Sequence, residues 1–227
     1  MPTRSVLDLV DSAVPNKTSG GDSPSPDAAL RAQAAFIRAL VDEIDRHHPE
    51  DQHVPALHEQ LGDELTLLAQ LLRRGSPAPP EPAAAPPKPI DVMVVDDDDE
   101  SRRAAVAALR VLGYPCREAR NAEEALLDYE RAPAAIVLAD WCMPGMSGFD
   151  LCGALKRRDP QPYVILASAF QENARVLDGG RGGADDFLRK PIDLDELESR
   201  LLAASRLIRA VQMVASLNAG RRRVANG

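Results

Sequence analysis

Four short apolar runs in the second half of the chain each close on a polar residue. Val92-Met-Val-Val95 opens into four acids, Asp96 to Asp99, and Ala134-Ala-Ile-Val-Leu-Ala139 closes on Asp140. Tyr163-Val-Ile-Leu-Ala167 closes on Ser168, and Asp186-Phe-Leu-Arg189 on Lys190 and Pro191. Continuous apolar runs of this length predict strands buried on both faces. Helical patterns lie between them: Ser101 to about Leu112, stopped by Gly113; a helix capped by Asn121 and running through Glu130; Gly148 to Arg157; and a weak helix over about Glu172 to Leu177. A last helix starts with Asp193 as N-cap and Glu196 three residues on, a pair resembling a capping box. A short edge-like strand near Cys116–Ala119 brings the strands to five. Strict alternation of strand and helix implies a parallel sheet covered on both faces. The C-terminal ends of such strands share one edge, where open α/β sheets bind ligands. That edge would carry a carboxylate cluster, a hydroxyl and an ammonium.

The first part of the chain has a different period. Ser25 is a fair N-cap with Pro26 at the first helical position. Leu30, Ile37, Leu40 and Ile44 mark one face of a helix, with Phe36 and Val41 beside it. After a break at His47-His-Pro-Glu-Asp51, a second helix carries Val54, Leu57, Leu61, Leu65, Leu68 and Leu72 at 3-4 spacing. Residues 25–75 thus read as a helical hairpin too small to stand alone, a dimer or partner module whose leucine stripe pairs with a second copy, another protein or the C-terminal domain. Residues 1–24 carry turn formers and no long period, which predicts a disordered arm in which Val6 to Val10 could form a short docking helix. Ser76 to Pro89 is half proline, so it predicts a stiff extended linker. The 3-4 apolar period of the last helix continues through Leu194, Leu197, Leu201, Ala204, Ile208, Val211 and Ala215. Residues 205–227 are therefore expected to be an extended C-terminal helix with a basic tail.

Composition narrows the function classes. The 227 residues carry a formal net charge of -8, which argues against general nucleic-acid affinity. Three cysteines form no CxxC pair, so neither a disulfide framework nor a thiolate metal site is expected. Asp8 and Asp11 interrupt the apolar start and spoil a signal peptide. No run approaches the roughly 20 apolar residues that span a bilayer. A cytoplasmic location without membrane insertion is the expectation.

Taken together in order, Val-Val-Asp96-Asp97, Leu-Ala-Asp140-Trp-Cys-Met-Pro144-Gly-Met-Ser-Gly148, Leu-Ala-Ser168-Ala169 and Gly-Ala-Asp-Asp-Phe187-Leu-Arg-Lys190-Pro191 resemble the receiver domain of two-component response regulators. The resemblance covers residues 90–204, half of the chain, and implies a five-stranded, doubly wound, flavodoxin-like fold. It implies that Asp140 accepts a phosphoryl group from a histidine kinase or phosphotransfer protein, without a separate enzymatic activity. Mg²⁺ would be held by Asp97, Asp140 and the backbone carbonyl of Cys142, with Asp96 holding metal-bound water. Such a hard cation favours oxygen ligands. Lys190 and Ser168 would meet the phosphoryl oxygens, Phe187 occupies the aromatic switch position, and the Lys190–Pro191 bond would be cis. Asp98 and Asp99 read better as a helix N-terminus favoured by the dipole. Phe170 and Cys142 depart from the usual pattern and are expected to slow hydrolysis of the phosphorylated form.

Other readings stay open at this point. Leu57-His58-Glu59-Gln-Leu61 is similar to the phosphoacceptor box of some histidine kinases, which would make the chain a histidine phosphotransfer protein. A silent-receiver adaptor is a third reading. His58 is expected to face solvent beside the leucine stripe. The two stripes, Leu57–Leu72 and Leu194–Ala215, have no evident partner within a domain, so a homodimer is expected alongside an unknown downstream protein. No output domain is recognised after the receiver.

Overall fold

The computed structural model describes residues 3–13, 26–47, 54–74, 89–169 and 183–225. They divide into two compact units. One holds residues 54–55, 89–169 and 183–204, and the other holds 3–13, 26–47, 56–74 and 205–225.

The first unit is built on five parallel strands: β1 (Val92–Val95), β2 (Cys116–Ala119), β3 (Ile136–Asp140), β4 (Tyr163–Ser168) and β5 (Asp186–Arg189). Their order in the sheet is β2-β1-β3-β4-β5. The chain leaves β1 toward one edge and returns to β3 on the other side of β1, so the switch in direction lies between β1 and β3. A crevice opens there beyond the strand ends. Register fixes what lines it. Val95 pairs with Ala139, so Asp96 and Asp140 follow at the same level. Asp140 pairs with Ala167, and Ser168 with Arg189, so Ser168 and Lys190 lie one and two residues beyond that level. Every residue of β1 and β3 is buried, as the continuous apolar runs require.

The helices of this unit are α4 (Asp99–Val111), α5 (Ala122–Arg131), α6 (Gly148–Leu155) and the first third of α7 (Leu194–Ala225), numbered after the three helices of the other unit. Side chains cap them where the sequence places them. Asp98 accepts from the Ser101 N–H at 2.7 Å, Asn121 from Glu124 at 2.7 Å, and Asp193 from Glu196 at 2.9 Å. Gly113, at φ +80°, ends α4 in the left-handed region that favours glycine. Two helices differ from expectation. α4 starts two residues early, because Asp98 rather than a later residue is its cap. α6 stops at Leu155, two residues short of Arg157. The weak helix at 172–177 and Phe170 lie outside the described residues.

The second unit contains α1 (Thr3–Ala13), α2 (Pro26–Ile44), α3 (Val54–Arg74, from residue 56) and α7 from Ser205 onward. Thr3–Ala13 is helical, so the short helix expected over Val6–Val10 of the arm is longer at both ends, and its Val6, Val10 and Ala13 are buried. Leu61, Leu65, Leu68 and Leu72 of α3 are buried, as are Leu207, Val211 and Val214 of α7. Of the three partners open to the leucine stripe, a second copy, another protein or the C-terminal part of the same chain, the structure brings the last against α3. At Gly62 an added Cβ would lie 3.3 Å from the backbone of Arg206 and Leu207, so α3 and α7 approach closely there. Glu59 and Arg206 pair across the same contact, and Asn218 Nδ2 donates to Ser12 Oγ at 3.1 Å. A periodic stripe specifies a buried face but not its occupant, and here segments from both ends of the sequence fill that role. His58 is buried at 2 % exposure, correcting the solvent-facing expectation. The buried face starts one residue later on α3 than the leucine count suggests, because Leu57 is only half-buried. Among the described residues no helix is long and apolar enough to cross a membrane.

Candidate functional site

Asp96, Asp97 and Asp140 converge beyond the ends of β1 and β3. One carboxylate oxygen from each lies within 4.8 Å of the others. Asp96 and Asp140 are buried and Asp97 is exposed, so the cluster opens to solvent on one side. Lys190 bridges the two buried acids. Its Nζ donates to Asp96 Oδ2 at 2.7 Å and pairs with Asp140 Oδ1. The Lys190–Pro191 bond is cis, as expected.

Backbone contacts fix each acid. Asp140 Oδ2 accepts the Cys142 N–H at 3.0 Å, while Trp141 N–H donates to Ala167 O at 2.8 Å and ties the turn to β4. Asp96 Oδ1 accepts the Asp98 N–H at 3.0 Å, and the Asp96 N–H reaches Ala119 O at 3.2 Å. Lys190 N–H donates to Ser168 O at 2.9 Å, which couples the ends of β4 and β5. Ser168 itself is half-buried at the end of β4. Cys142 is exposed beside the acids.

Electrostatics follow from burial and charge. Burial pushes the Asp140 carboxyl above its ordinary value of 3.8, and Lys190 partly offsets this. Burial also works against the Lys190 ammonium. Its hydrogen bonds to Asp140 and Asp96 outweigh that cost and hold it above its ordinary value. The site therefore keeps a cation between two acids, which stabilises carboxylates that would otherwise repel each other. Three convergent carboxylates, one of them open to solvent, form an oxygen donor set that fits a hard divalent cation.

The sequence-derived set comes together with one difference of place. Asp96, Asp97, Asp140, Cys142 and Lys190 meet in the crevice, and Ser168 lies at its rim. Phe187 instead points into the core at 5 % exposure, its ring centroid 5.8 Å from that of Trp141. Two residues that shape the site were missed. An added Cβ on Gly148 would sit 2.0 Å from Asp140 O, so α6 meets the end of β3 only through glycine. Arg102 is buried at 4 % exposure behind the acidic loop. Its spacing from Asp99 was a readable pairing signal on a helix.

Residues 92–202 match the family model of the response regulator receiver domain. The chain is similar to the sensory transduction protein RegX3 of Mycobacterium tuberculosis, 37% identical over 98 residues, covering 43% of each protein. It is also similar to the phosphate regulon transcriptional regulatory protein PhoB of Pseudomonas aeruginosa, 38% identical over 103 residues and 44% of each. The chain thus spans less than half the length of the curated relatives it matches. Among solved structures it resembles the response regulator TrrA of Thermotoga maritima in complex with Mg²⁺ and BeF, at 28% identity and a TM-score of 0.47, over 50% of this chain and 97% of that one. Phosphorylation on aspartate and Mg²⁺ binding are general to the family. Residues 92–202 of this chain are a response regulator receiver domain.

Proposed function

We propose that this chain works as a two-component response regulator in which Asp140 takes a phosphoryl group from a histidine kinase or phosphotransfer protein. The convergence of Asp96, Asp97, Asp140 and Lys190 at one crevice is the observation that carries this reading. A carboxylate oxygen of Asp140 forms the new O–P bond as the P–N bond of the donor's phosphohistidine breaks. The leaving imidazole keeps the electron pair and is protonated. Phosphoryl transfer depends on placement and charge neutralisation more than on covalent help. Lys190 already touches Asp140, so its ammonium is positioned to neutralise the phosphoryl oxygens. Ser168 offers a hydroxyl from the neighbouring strand end. Asp96, Asp97 and Asp140, with the carbonyl of Cys142, would hold Mg²⁺, which supplies further charge neutralisation. Phe187 touches Trp141, the residue after Asp140, so a change at the acid reaches the proposed switch ring through one contact.

The helical unit is the module through which the chain answers, by protein contacts. The homodimer expected from unpartnered stripes loses much of that support, since most residues of both stripes are buried within one chain. The phosphotransfer reading loses support as well, because a histidine phosphoacceptor must reach its donor and His58 is 2 % exposed. Incubation with a small phosphodonor and Mg²⁺ should add one phosphoryl group to the intact protein. Chelation should prevent it, and Asp140→Asn should abolish it. Equal labelling of the Asn variant contradicts the proposal.

A further inference from the structure

Arg102 reaches both sides of Asp97. Its guanidinium Nη1 donates to the backbone oxygen of Asp96 at 2.9 Å, and its own backbone N–H donates to the backbone oxygen of Asp98 at 3.0 Å. The other guanidinium nitrogens anchor the side chain. Nε donates to Glu118 Oε2 of β2 at 3.1 Å, and Nη2 pairs with Asp99 Oδ1 in the first turn of α4. One side chain thus joins the end of β1, the start of α4 and the edge strand β2. Asp97, the exposed member of the acidic cluster, directly follows the Asp96 carbonyl that the guanidinium holds, whereas the bond to Asp98 is the ordinary first backbone bond of α4 and is independent of the side chain.

Such a hub is costly unless it is fully used. Burying a guanidinium is unfavourable unless acceptors surround it, and here two carboxylates and a carbonyl do so. The planar fork of arginine can reach three acceptors in different directions at once, which a lysine ammonium on a flexible stem cannot reproduce.

We propose that Arg102 is a positioning residue for the cation site: its guanidinium fixes the Asp96 carbonyl and ties it to β2 and α4, and so aims the adjacent Asp97 carboxylate at Asp140. The inference rests on the Mg²⁺ reading of the crevice. It departs from plain electrostatics in sign. A fixed positive charge behind an acidic site repels a bound cation, so on charge alone its removal tightens Mg²⁺ binding. If Arg102 sets geometry, its removal weakens binding. Loss of a group that orients a ligand typically weakens metal affinity by about 10–100-fold.

Mg²⁺ titration of the full chain tests this with the chain's single tryptophan as reporter, since Trp141 directly follows Asp140. Wild type should show a saturable change in fluorescence that Asp97→Ala largely removes. No saturable response in wild type overturns the Mg²⁺ reading and this inference with it. Given that response, Arg102→Met should raise the Mg²⁺ dissociation constant about tenfold or more. Arg102→Lys keeps the charge and should still weaken binding, which also keeps the test decisive if the Met variant fails to fold. In an Asp97→Ala background, Arg102→Lys should have no further effect, because its influence passes through Asp97. Unchanged or tighter Mg²⁺ binding in folded Arg102→Lys overturns the inference while leaving the Mg²⁺ reading intact. A lowered melting temperature with unchanged affinity would assign Arg102 a purely structural role and overturn it equally.

Discussion

Gly148→Ala should damage phosphoryl transfer far more than a single methyl group suggests. Gly148 opens α6 where the helix meets the end of β3, and its N–H donates to Trp141 O at 3.0 Å. An added Cβ would lie 2.0 Å from Asp140 O, 2.9 Å from Asp140 C and 3.2 Å from Trp141 Cα. Carbon and oxygen essentially never approach within 3.0 Å in this way, so the backbone must yield by roughly 1 Å. The obstacle is backbone, so no side-chain rotamer can relieve it. Forcing extra volume into packed structure costs about 1–3 kcal/mol, and a shift of about 1 Å at a reacting group costs on the order of 10²-fold in rate. Gly153 in the same helix is the control. A Cβ there meets only Arg157 Nη1 at 3.8 Å, so Gly153→Ala should leave the rate unchanged and gain about 0.5–1 kcal/mol from the lower chain entropy of alanine. Initial rates of phosphorylation by a small phosphodonor at saturating Mg²⁺, with thermal melts, separate the two variants. A Gly148→Ala protein with wild-type rate and melting temperature would refute the reasoning.

Asp97→Ala and Lys190→Ala should fail differently: the first loses Mg²⁺ affinity, whereas the second keeps it and loses phosphorylation rate, as titration and rate assays on both would show. Asp186 is fully buried against Arg200, and burial pushes its carboxyl up to about 7 against the pull of that guanidinium. The native state then holds a proton that the unfolded chain has released, so this group's contribution to stability falls as pH rises from about 4 to about 7. Melting temperatures across that range should flatten in Asp186→Asn, and parallel profiles would dismiss the effect. Ending the chain at Ala204 removes the part of α7 that covers α3 and should uncover the Leu61–Leu72 stripe. Circular dichroism should lose more helix than the deleted residues account for, and sedimentation should show more association than the full chain at equal concentration.

The receiver unit was legible because each level of its sequence agrees. Short apolar runs predicted β1, β3, β4 and β5, and the polar residue ending each run predicted the site, since a parallel sheet gathers those ends on one edge. Asn121 and Asp193 were readable as caps because their side chains satisfy backbone donors within three residues, whereas Asp98 was placed at a helix N-terminus without being read as the cap. Legibility failed where the determinant is far away in sequence. The stripe at Leu61–Leu72 shows an apolar face, yet part of what meets α3 lies beyond residue 205, at Arg206 and Leu207. Only Val6 to Val10 of α1 was read as a short docking helix, because eleven residues with two acids carry too short a period to show its full length, and its buried Val6 and Val10 make sense only beside the other helices. His58 was misplaced by one step of helical phase. Gly148 read as an ordinary helix start, because close approach of two backbones leaves no trace in local pattern.

The account stands on Asp140 as the residue that carries the phosphoryl group. After phosphorylation with Mg²⁺ and a small phosphodonor, borohydride reduction converts an aspartyl phosphate to homoserine at that position. Peptide mass spectrometry should then find homoserine at position 140 and at no other aspartate, in an amount matching the phosphoryl group gained by the intact chain. Homoserine elsewhere in the acidic cluster, or a phosphoryl group retained on His58, would contradict the central claim.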